Sequence, residues 1–456
     1  MLGINTNVAS ILAQNAVGNT TMDMQKSIQR LSTGLRINSA QDDPAGLAIA
    51  TRMTAQINGL NQAVLNANFG VSLTQTAGGA LSSATNALQT VRQLAVESAN
   101  ASNTGVDRSS LDSQVQQLIQ QIQGIATQTQ FNGQNILDGS FGTAQFQVGA
   151  NANQTITATL GNIQTSVLGG YSYTNNATSA ALATGDLTIN GVQIAATANG
   201  QASTIAQAIN AVSGQTNVSA TAVTTSAAGA TVTASSAAVG SDLTINGVQI
   251  GGIAGSASVS VQAQQAANAI NQVTQQTGVI ASVNGSNQLV LSNTTGADIV
   301  VTATAAGTAA TGLSAGTTHG KVTLNSSSTF TVGGNTPASA GFAAGSQGTL
   351  SALSGVSIAT TAGANSAISV VDGALAQINS LQATIGAVET RFQTVVSSLQ
   401  TSSTNLTSAR SSLQDTDFAA ETANLSKAQI LEQAGTAMVA QANSIPSQVL
   451  TLLKSA

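Results

Sequence analysis

A long heptad stripe near the C-terminal end is the feature that most constrains the fold. From Leu381 to Leu413, apolar and small residues recur at alternating steps of four and three over 33 residues. A helix of this length spans about 50 Å, and a continuous stripe along one side of it needs a partner helix. The stripe consists of Leu381, Ile385, Val388, Phe392, Val395, Leu399, Ser402, Leu406, Ala409 and Leu413. We therefore expect long helices that pack along coiled-coil seams.

The N-terminal part carries three shorter stripes with the same spacing. They consist of Val17, Thr21, Met24, Ile28 and Leu31; of Ala77, Leu81, Ala84, Leu88, Val91, Ala95 and Ser98; and of Leu111, Val115, Leu118, Ile122 and Ile125. The chain has no Trp, two Tyr and eight Phe, which suits close seams better than one bulky globular core. The N-terminal part is therefore predicted to be helical as well.

The last segment, Leu425 to Leu453, repeats the pattern, and Pro446 within it predicts a kink. Its stripe contains Leu431, Ala434, Met438, Ala442, Ile445, Val449 and Leu452. Neither terminal stripe has a partner next to it in the sequence, so we expect the two ends to pair with each other and with other subunits. An intramolecular antiparallel bundle explains the same pattern equally well. The predicted terminal packing stripe is Val17, Met24, Ile28, Leu31, Leu431, Met438, Ile445, Val449 and Leu452.

Charge divides the chain into three zones. Residues 1–170 hold thirteen charged residues and the last 94 hold ten, whereas the 192 residues from Tyr171 to Ala362 hold four. In this middle zone, apolar residues alternate with polar ones among abundant Gly, Ser, Thr and Ala, which is typical of strands. The predicted fold is a multidomain α+β protein, with long N- and C-terminal helices in coiled-coil layers and a β-rich central insert.

The middle zone contains an internal repeat. "GDLTINGVQI" (residues 185–194) returns as "SDLTINGVQI" (residues 241–250), and a second shared element containing "AIN" follows each copy. The pairs Asn190-Gly191 and Asn246-Gly247 predict type I′ turns, because Asn and Gly tolerate positive φ. Each unit is therefore predicted to be a hairpin followed by a short helix and a returning strand, over about residues 185–223 and 241–283.

The composition excludes most catalytic and metal chemistry. There is no Cys and one His, His319, which rules out thiolate sites and most zinc sites and favours an ordinary loop residue. The net charge of −5 argues against nucleic acid, and no apolar run approaches the ~20 residues that span a membrane. The carboxylates of Asp42 with Asp43, and of Asp415 with Asp417, are interpreted as helix caps. We expect no enzymatic activity, cofactor or metal site.

The stretch "GLRINSAQDDPAGLAIATRM" (residues 34–53) concentrates charge in a sparsely charged chain. Gly34 is placed to end the first helix in a left-handed conformation, and Asp43 is placed to cap a helix with Pro44 in its first turn. The residues between them are interpreted as a joint between two helical layers. The second strand of the joint is "SLQDTDF" (residues 412–418), in which Asp415 or Thr416 is predicted to cap the last helix.

The charged residues of this joint are predicted to fix the register in which subunits pack against each other. Arg36 and Arg52 are expected to bind carboxylates or carbonyls of the same or a neighbouring subunit, the alternative being solvated charges worth ~0–1 kcal/mol. The candidate joint and subunit-interface residues are Gly34, Arg36, Asp42, Asp43, Pro44, Arg52, Asp415 and Asp417.

With these features in hand, the chain resembles bacterial flagellin over about residues 1–170 and 363–456. The matching stretches include "INTNVASILAQNA", "LSTGLRINSAQDDPAGLAIATRM" and "QTQFNGQNIL" on the N-terminal side. On the C-terminal side they include "GAVETRFQ" and "LSKAQILEQAGTAMVAQANSIPSQVLTLL". The central repeats are similar to a hairpin–helix module that recurs in flagellins and hook-related proteins.

The resemblance implies an architecture and a set of partners. Residues 1–43 and 414–456 would form the helical core domain, 44–170 and 363–413 a mostly helical second layer with a β-hairpin region, and 171–362 the variable outer region. It implies a secreted subunit that polymerises into the extracellular flagellar filament for swimming. Export through the flagellar type III apparatus, an export chaperone, and cap and hook-associated proteins are likewise implied.

Departures from the family pattern and alternative functions complete the expectations. Immune-stimulating enteric flagellins have an arginine at the position of Thr90 and a glutamate at that of Gln114, although Arg92 and Leu94 match. These departures count against recognition by the Toll-like receptor for flagellin.

A hook–filament junction protein, which shares both helical ends, is the alternative within the family. A secreted adhesin is the alternative outside it, and it leaves the heptad ends unexplained.

Overall fold

The structure, a computed structural model, describes residues 6–100, 102–177, 180–226, 228–234 and 242–455, and for residues 446–455 it describes the backbone alone. The helices are α1 (Val8–Thr33), α2 (Pro44–Ser98), α3 (Gly105–Gln128), α4 (Ala202–Asn210), α5 (Ser213–Thr216), α6 (Val259–Gln272), α7 (Thr274–Thr277), α8 (Ala305–Thr311), α9 (Thr361–Gln414) and α10 (Phe418–Ser455). Short 3₁₀ turns cover Pro337–Ala340 and Leu353–Gly355. The predicted long helices at both ends are thus confirmed, and α10 continues past Pro446.

The strands lie between α3 and α9, and most of them fall in the middle zone where the alternating pattern predicted strands, whereas the first four precede it. They are β1 (Gln130–Phe131), β2 (Gln134–Asn135), β3 (Thr143–Gln147), β4 (Thr155–Thr159), β5 (Gly169–Thr174), β6 (Thr188–Ile189), β7 (Val192–Gln193), β8 (Val218–Thr225), β9 (Leu243–Ile245), β10 (Val248–Gln249), β11 (Ile280–Val283), β12 (Leu289–Asn293), β13 (Ile299–Ala303), β14 (Gly316–Thr318), β15 (Lys321–Ser326), β16 (Val332–Gly333) and β17 (Thr349–Ala352).

The predicted stripes differ in how deeply they are buried. All seven residues of the stripe from Ala77 to Ser98 are buried, so this side of α2 is a continuous core face. Along α9, Ile385 and Phe392 are buried, whereas Ser402 and Ala409 are exposed. The heptad spacing therefore predicts correctly where a helix lies. It does not predict which part of the stripe is buried within a single chain.

Contacts divide the chain into two compact units. The terminal unit consists of Met1–Thr74, Thr143–Ala158 and Ala387–Ala456, and the central unit consists of Gln75–Gly142 and Thr159–Gly386. The three-part division expected from the sequence places its boundaries elsewhere and stays a prediction.

In the terminal unit, the β3–β4 hairpin packs with α2 and α9 around the ring of Phe392. This ring is fully buried and meets Phe146 nearly at right angles, with 5.3 Å between the ring centroids. Gly70 allows the close approach of α2, because a Cβ at this position would lie 2.5 Å from Cζ of Phe392. The Asn66 side chain donates to the carbonyl of Gln147 at 3.0 Å and holds the hairpin on the helix.

In the central unit, antiparallel sheets carry the two predicted repeats. A six-stranded sheet has the order β11-β12-β8-β15-β5-β17, a four-stranded sheet has the order β10-β9-β13-β14, and a three-stranded sheet has the order β16-β6-β7. One apolar core surrounds Ile205 and Ile209 of α4, and a second surrounds Ala266 and Ile270 of α6. Each repeat helix thus covers its own core.

The repeat units have the predicted hairpin, helix and returning strand. The first runs through β6, β7, α4, α5 and β8, and the second through β9, β10, α6, α7 and β11. The turn residues have positive φ in both copies, at 51° and 80° for Asn190 and Gly191 and at 51° and 79° for Asn246 and Gly247. Both type I′ turns are therefore confirmed.

An asparagine in each copy ties the helix to the returning strand. The amide of Asn210 accepts from N–H of Ala220 at 2.7 Å and donates to its carbonyl at 2.8 Å. Asn271 makes the same two bonds to Ala281, at 2.7 and 2.9 Å. These bonds fix the register of helix against strand, which explains why "AIN" recurs in both units.

Replacement of Asn210 by Ala is expected to destabilise the first repeat by about 1–3 kcal/mol, because the backbone groups of buried Ala220 lose their partners. The two tyrosines of the chain, Tyr171 and Tyr173, pack against this core, so denaturant unfolding followed by tyrosine fluorescence measures the change. Gln207→Ala, at an exposed position of the same helix, is the control and should have little effect. Equal stability of the two variants would contradict the assignment.

Candidate functional site: the joint and the terminal helix pair

Two connectors cross the terminal unit side by side, and together they form the joint. The first, residues 34–43, joins α1 to α2, and the second, residues 415–417, joins α9 to α10. Leu35 and Asp415 form an antiparallel bridge. N–H of Arg36 donates to the Gln414 carbonyl at 2.7 Å, and N–H of Thr416 donates to the Gly34 carbonyl at 3.0 Å. The predicted joint is thus a short piece of two-stranded ladder.

The first connector begins and ends as predicted. Gly34 has φ of 73° at the end of α1, and its N–H donates to the carbonyl of Arg30 at 2.8 Å. At the other end, Oδ1 of Asp43 accepts from N–H of Gly46 at 2.8 Å, with Pro44 as the first residue of α2. Gly is required at position 46, because a Cβ there would lie 2.3 Å from Oδ2 of Asp43.

Asp42 closes the loop of the first connector. Its Oδ2 accepts from N–H of Asn38 at 3.2 Å and from N–H and Oγ of Ser39, both at 3.0 Å. These bonds, led by the one from N–H of Ser39, lower the pKa of the Asp42 carboxyl below its ordinary value of 3.8, and the charge of Arg30 adds to the effect. Asp42 therefore stays ionised and holds the backbone of Asn38 and Ser39 in place.

The two arginines of the stretch have different roles in the single chain. Nη2 of Arg36 donates to the Leu413 carbonyl at 2.7 Å, next to the C-terminal end of α9, where a cation is favoured by the helix dipole. Arg36 thus finds one of the predicted carbonyl partners. Arg52 is exposed, and within the described ranges it makes no hydrogen bond or ion pair.

The second connector corrects one prediction. Asp417, rather than Asp415 or Thr416, caps α10, since its Oδ1 accepts from N–H of Ala419 at 2.9 Å and of Ala420 at 3.2 Å. The bridge to the first connector is the physical reason, because it holds Asp415 and Thr416 in an extended conformation. Asp415 instead accepts from Oγ of Ser411 at 2.5 Å.

Helices α1 and α10 pack against each other in antiparallel orientation. Near one end, Nδ2 of Asn7 donates to the Ala442 carbonyl at 2.7 Å, and near the other, Arg30 and Glu421 form an ion pair at 3.8 Å. The inward positions, which are buried or half-buried, follow three–four spacing on both helices. They are Ser10, Ala13, Val17, Thr20, Met24, Ser27 and Leu31 on α1, and Glu421, Leu425, Ala428, Glu432, Gly435, Val439 and Ala442 on α10.

The observed seam differs from the predicted terminal packing stripe. Val17, Met24 and Leu31 lie in it, whereas Ile28, Leu431 and Met438 are 48%, 49% and 64% exposed and lie outside it. Small residues such as Ser27 and Gly435 occupy the seam, because a Cβ at position 435 would already lie 2.6 Å from Cγ2 of Val17. Ile445 is half-buried, and Val449 and Leu452 lie outside the residues whose side chains are described.

Both terminal helices therefore carry large apolar side chains on their outer sides. The exposed set is Val8, Ile11, Leu12, Met22 and Ile28 on α1, and Phe418, Ile430, Leu431 and Met438 on α10. Exposed large apolar side chains in this number on two paired helices make their outer sides the candidate surface for contact with other chains.

No chemical centre accompanies this surface. In the described part of the chain, no group of three His, Cys, Asp or Glu side chains is placed to hold a metal ion. No helix among the described residues has the length and apolarity required to cross a membrane. Nδ1 of His319 lies 3.0 Å from Oδ2 of Asp298, in the segment that links two strands of the central unit.

Comparison with known proteins identifies the class to which this fold and joint belong. The bacterial flagellin N-terminal helical region matches residues 4–142, the bacterial flagellin C-terminal helical region matches residues 368–453, and the flagellin hook IN motif matches residues 242–295. The last match coincides with the second repeat. Paired terminal helices with a repeat-containing insert are thus the organisation of a flagellar filament protein.

The chain belongs to the bacterial flagellin family. It is 39% identical to the B-type flagellin of Pseudomonas aeruginosa (99% of this chain, 100% of that protein), 33% to Flagellin B of Vibrio cholerae (99% of each) and 34% to the flagellin of Salmonella typhimurium (99% of each). The solved structure of FliC from Burkholderia pseudomallei has a TM-score of 0.33 at 23% identity, covering 71% of this chain and 99% of that chain. The chain is a structural subunit of the extracellular flagellar filament, and its family is not an enzyme family.

Replacement of Gly435 by Ala is expected to loosen the α1–α10 seam, because the added Cβ meets the β-branched side chain of Val17. Gly18→Ala is the matched control, since a Cβ at position 18 has no atom within 4 Å. Both substitutions raise helix propensity by about 1 kcal/mol, so the control should be neutral or stabilising. Hydrogen exchange of α1 in assembled filaments should be faster in Gly435→Ala only. Equal protection in both variants would exclude the close seam.

The joint is expected to weaken in acid. Because the pKa of Asp42 is lowered on folding, its contribution to stability is complete above about pH 4 and is lost as the pH falls through the lowered pKa. Hydrogen exchange of residues 35–47, compared between the wild type and Asp42→Asn, measures this contribution. The difference between the two proteins should shrink from pH 7 towards pH 2, and a constant difference would show that the charge of Asp42 is irrelevant.

Proposed function

We propose that the outer sides of α1 and α10 are the surfaces through which subunits associate into the filament. The observation that carries this proposal is the exposure of large apolar side chains on both helices, while small residues such as Ser27 and Gly435 occupy positions of the seam between them. Covering these side chains would remove apolar surface from water at roughly 25 cal/mol per Å². The predicted stripe residues Ile28, Leu431 and Met438 would then pack between subunits rather than within one.

In a helical filament each subunit presents one surface to a different surface of the next, so the contacts propagate without closing. The joint would set the register of this assembly, because it ties the ends of α1 and α9 to the starts of α2 and α10. Gly34, Asp42, Asp43, Pro44, Asp415 and Asp417 would fix its backbone. Arg36 would act within the subunit and Arg52, which is exposed, between subunits.

The position of each part in the filament is proposed from the family resemblance. The terminal helices, residues 1–43 and 414–456, would line the filament core, residues 44–170 and 363–413 would form the second layer, and residues 171–362 would face outwards. The near absence of charge in this last region leaves it few means of specific association. We further propose that the chain is exported through the flagellar apparatus with the help of an export chaperone, and assembles with cap and hook-associated proteins.

Two activities are not part of the proposal. We propose no enzymatic activity, in keeping with a structural family. We also propose that the Toll-like receptor for flagellin does not recognise the chain. Thr90 and Gln114 replace the charged residues of enteric flagellins, and Arg92 is engaged by Asp372, with Nε to Oδ1 at 2.6 Å.

Electron microscopy of the purified chain after seeding tests the filament assembly directly. Long filaments with projecting outer regions are expected. The terminal helices, residues 1–40 and 418–456, should become protected from hydrogen exchange only on assembly, because their outer surfaces are uncovered in the monomer. Full protection of both ends in a verified monomer, or persistent monomers under all salt and precipitant conditions, would refute the proposal.

The two arginines provide a sharper test of the joint. In filaments, Arg36→Ala should destabilise the joint by about 1 kcal/mol, since an exposed charged donor to a carbonyl is lost, and should alter filament yield or shape. Arg52→Ala should alter filament yield or shape and leave the joint itself unchanged. Hydrogen exchange of residues 34–43 in filaments, combined with microscopy, separates the two effects. If Arg36→Ala changed neither quantity, Arg36 would be an ordinary solvated charge.

A further inference from the structure

A groove on the terminal unit is lined by α2, by α9 and by the β3–β4 hairpin. Its volume is about 520 Å³. Its apolar lining consists of Leu60, Val148, Ile156, Val395, Leu399 and Leu406. Polar groups line it as well, namely those of Arg391, Gln56, Asn151, Asn153, Gln154 and Thr155. The groove is thus large enough to accept one or two large side chains, and it offers them an apolar wall beside a polar one.

Two large apolar side chains on α2 have no cover in the single chain. Leu65 and Phe69 are 54% and 57% exposed, and since they are four residues apart they are neighbours on one side of the helix. At this exposure Phe69 leaves roughly 90–140 Å² in water. We call these two residues the knob. No charged residue occurs between Arg52 and Arg92 in α2, so the helix itself brings no charge next to the knob that would repel the cation of Arg391.

Helix geometry places the knob and the groove on opposite sides of α2. Leu65 follows Gln56 by nine residues, and Phe69 follows Leu60 by nine. At about 100° per residue, nine residues amount to two and a half turns, so each knob residue points away from its groove counterpart. A subunit therefore cannot fill its own groove with its own knob. A contact between two copies leaves one free groove and one free knob, which is the arrangement of an open polymer.

We propose that in the filament the knob of one copy, Leu65 and Phe69, enters the α2–α9–hairpin groove of the next copy. The proposal rests on the filament role of the family and specifies one contact within it. The small area of the knob supports a polymer contact, because a stable dimer buries about 800 Å² per partner and two side chains supply far less. The contact can therefore persist only beside the association of the terminal helices, and free monomers stay apart.

Disulfide trapping tests the contact, and the chain suits it because it contains no natural cysteine. In filaments of the double variant Phe69→Cys with Leu399→Cys, oxidation should link successive subunits into a ladder on a denaturing gel. A disulfide needs Cβ atoms about 3.5–4.5 Å apart, so Asn68→Cys with Leu399→Cys is a strict control that should give no ladder. Dimers from Phe69→Cys alone would indicate a two-fold contact and overturn the proposal.

A charge substitution provides an independent measurement. Phe69→Asp should raise the monomer concentration at which filaments form by about tenfold or more, because a half-exposed aromatic can no longer be buried. Circular dichroism and thermal unfolding of the monomer should not change, since residue 69 is exposed there. Asn68→Asp is the matched control and should polymerise like the wild type.

The outcomes separate this contact from the filament role. Filaments of the Phe69→Cys and Leu399→Cys double variant that give no ladder on oxidation, or Phe69→Asp filaments that form at the wild-type concentration, would overturn the knob-and-groove contact and leave the filament role intact. A wild-type chain that never polymerises would contradict both.

Discussion

The close antiparallel contact between α1 and α10 is the constraint on which the rest of the terminal unit depends. It joins residues as far apart in the sequence as Asn7 and Ala442, separated by 435 positions. The helices approach closely where Gly435 faces Val17, since a Cβ at position 435 would lie 2.6 Å from Cγ2 of Val17. Large apolar residues are consequently left on the outer sides. One seam thus closes the two ends of the chain and leaves an apolar surface for other chains.

The joint follows from that constraint. If α1 and α10 are paired, the connectors to α2 and α9 must cross at the same place, and their backbone groups must be satisfied there. The structure solves this with the Leu35–Asp415 bridge and with the side chains of Arg36 and Asp42, which bind backbone groups. Charge is concentrated in this stretch because backbone carbonyls and N–H groups, rather than apolar surfaces, must be held in register.

Features that depend on neighbouring residues were predictable from the sequence. The errors lie where a distant segment determines which residue is buried or which residue caps a helix. The Asn-Gly turns, the end of α1 at Gly34 and the cap at Asp43 depend on a few neighbouring residues, and all were predicted. Three–four spacing fits Ser27 as well as Ile28, and the choice is made by α10, about 400 residues later. In the same way, the bridge to Leu35 moves the start of α10 from Asp415 to Asp417.

The same distinction explains the arrangement of the central unit. Each repeat fixes its own hairpin, helix and strand through two asparagines, so its register does not depend on the other copy. The second repeat lies between β8 and β15, which pair directly, Val223 with Lys321, so the chain leaves and returns at neighbouring points. The segment still contacts the first repeat, because β12 pairs with β8, Asn293 with Thr224, and the Thr224 hydroxyl donates to the Ala297 carbonyl at 2.8 Å. Its own hairpin, helix and core are therefore less constrained by the first repeat than β12 is, whereas the seam of the terminal helices is constrained along both helices.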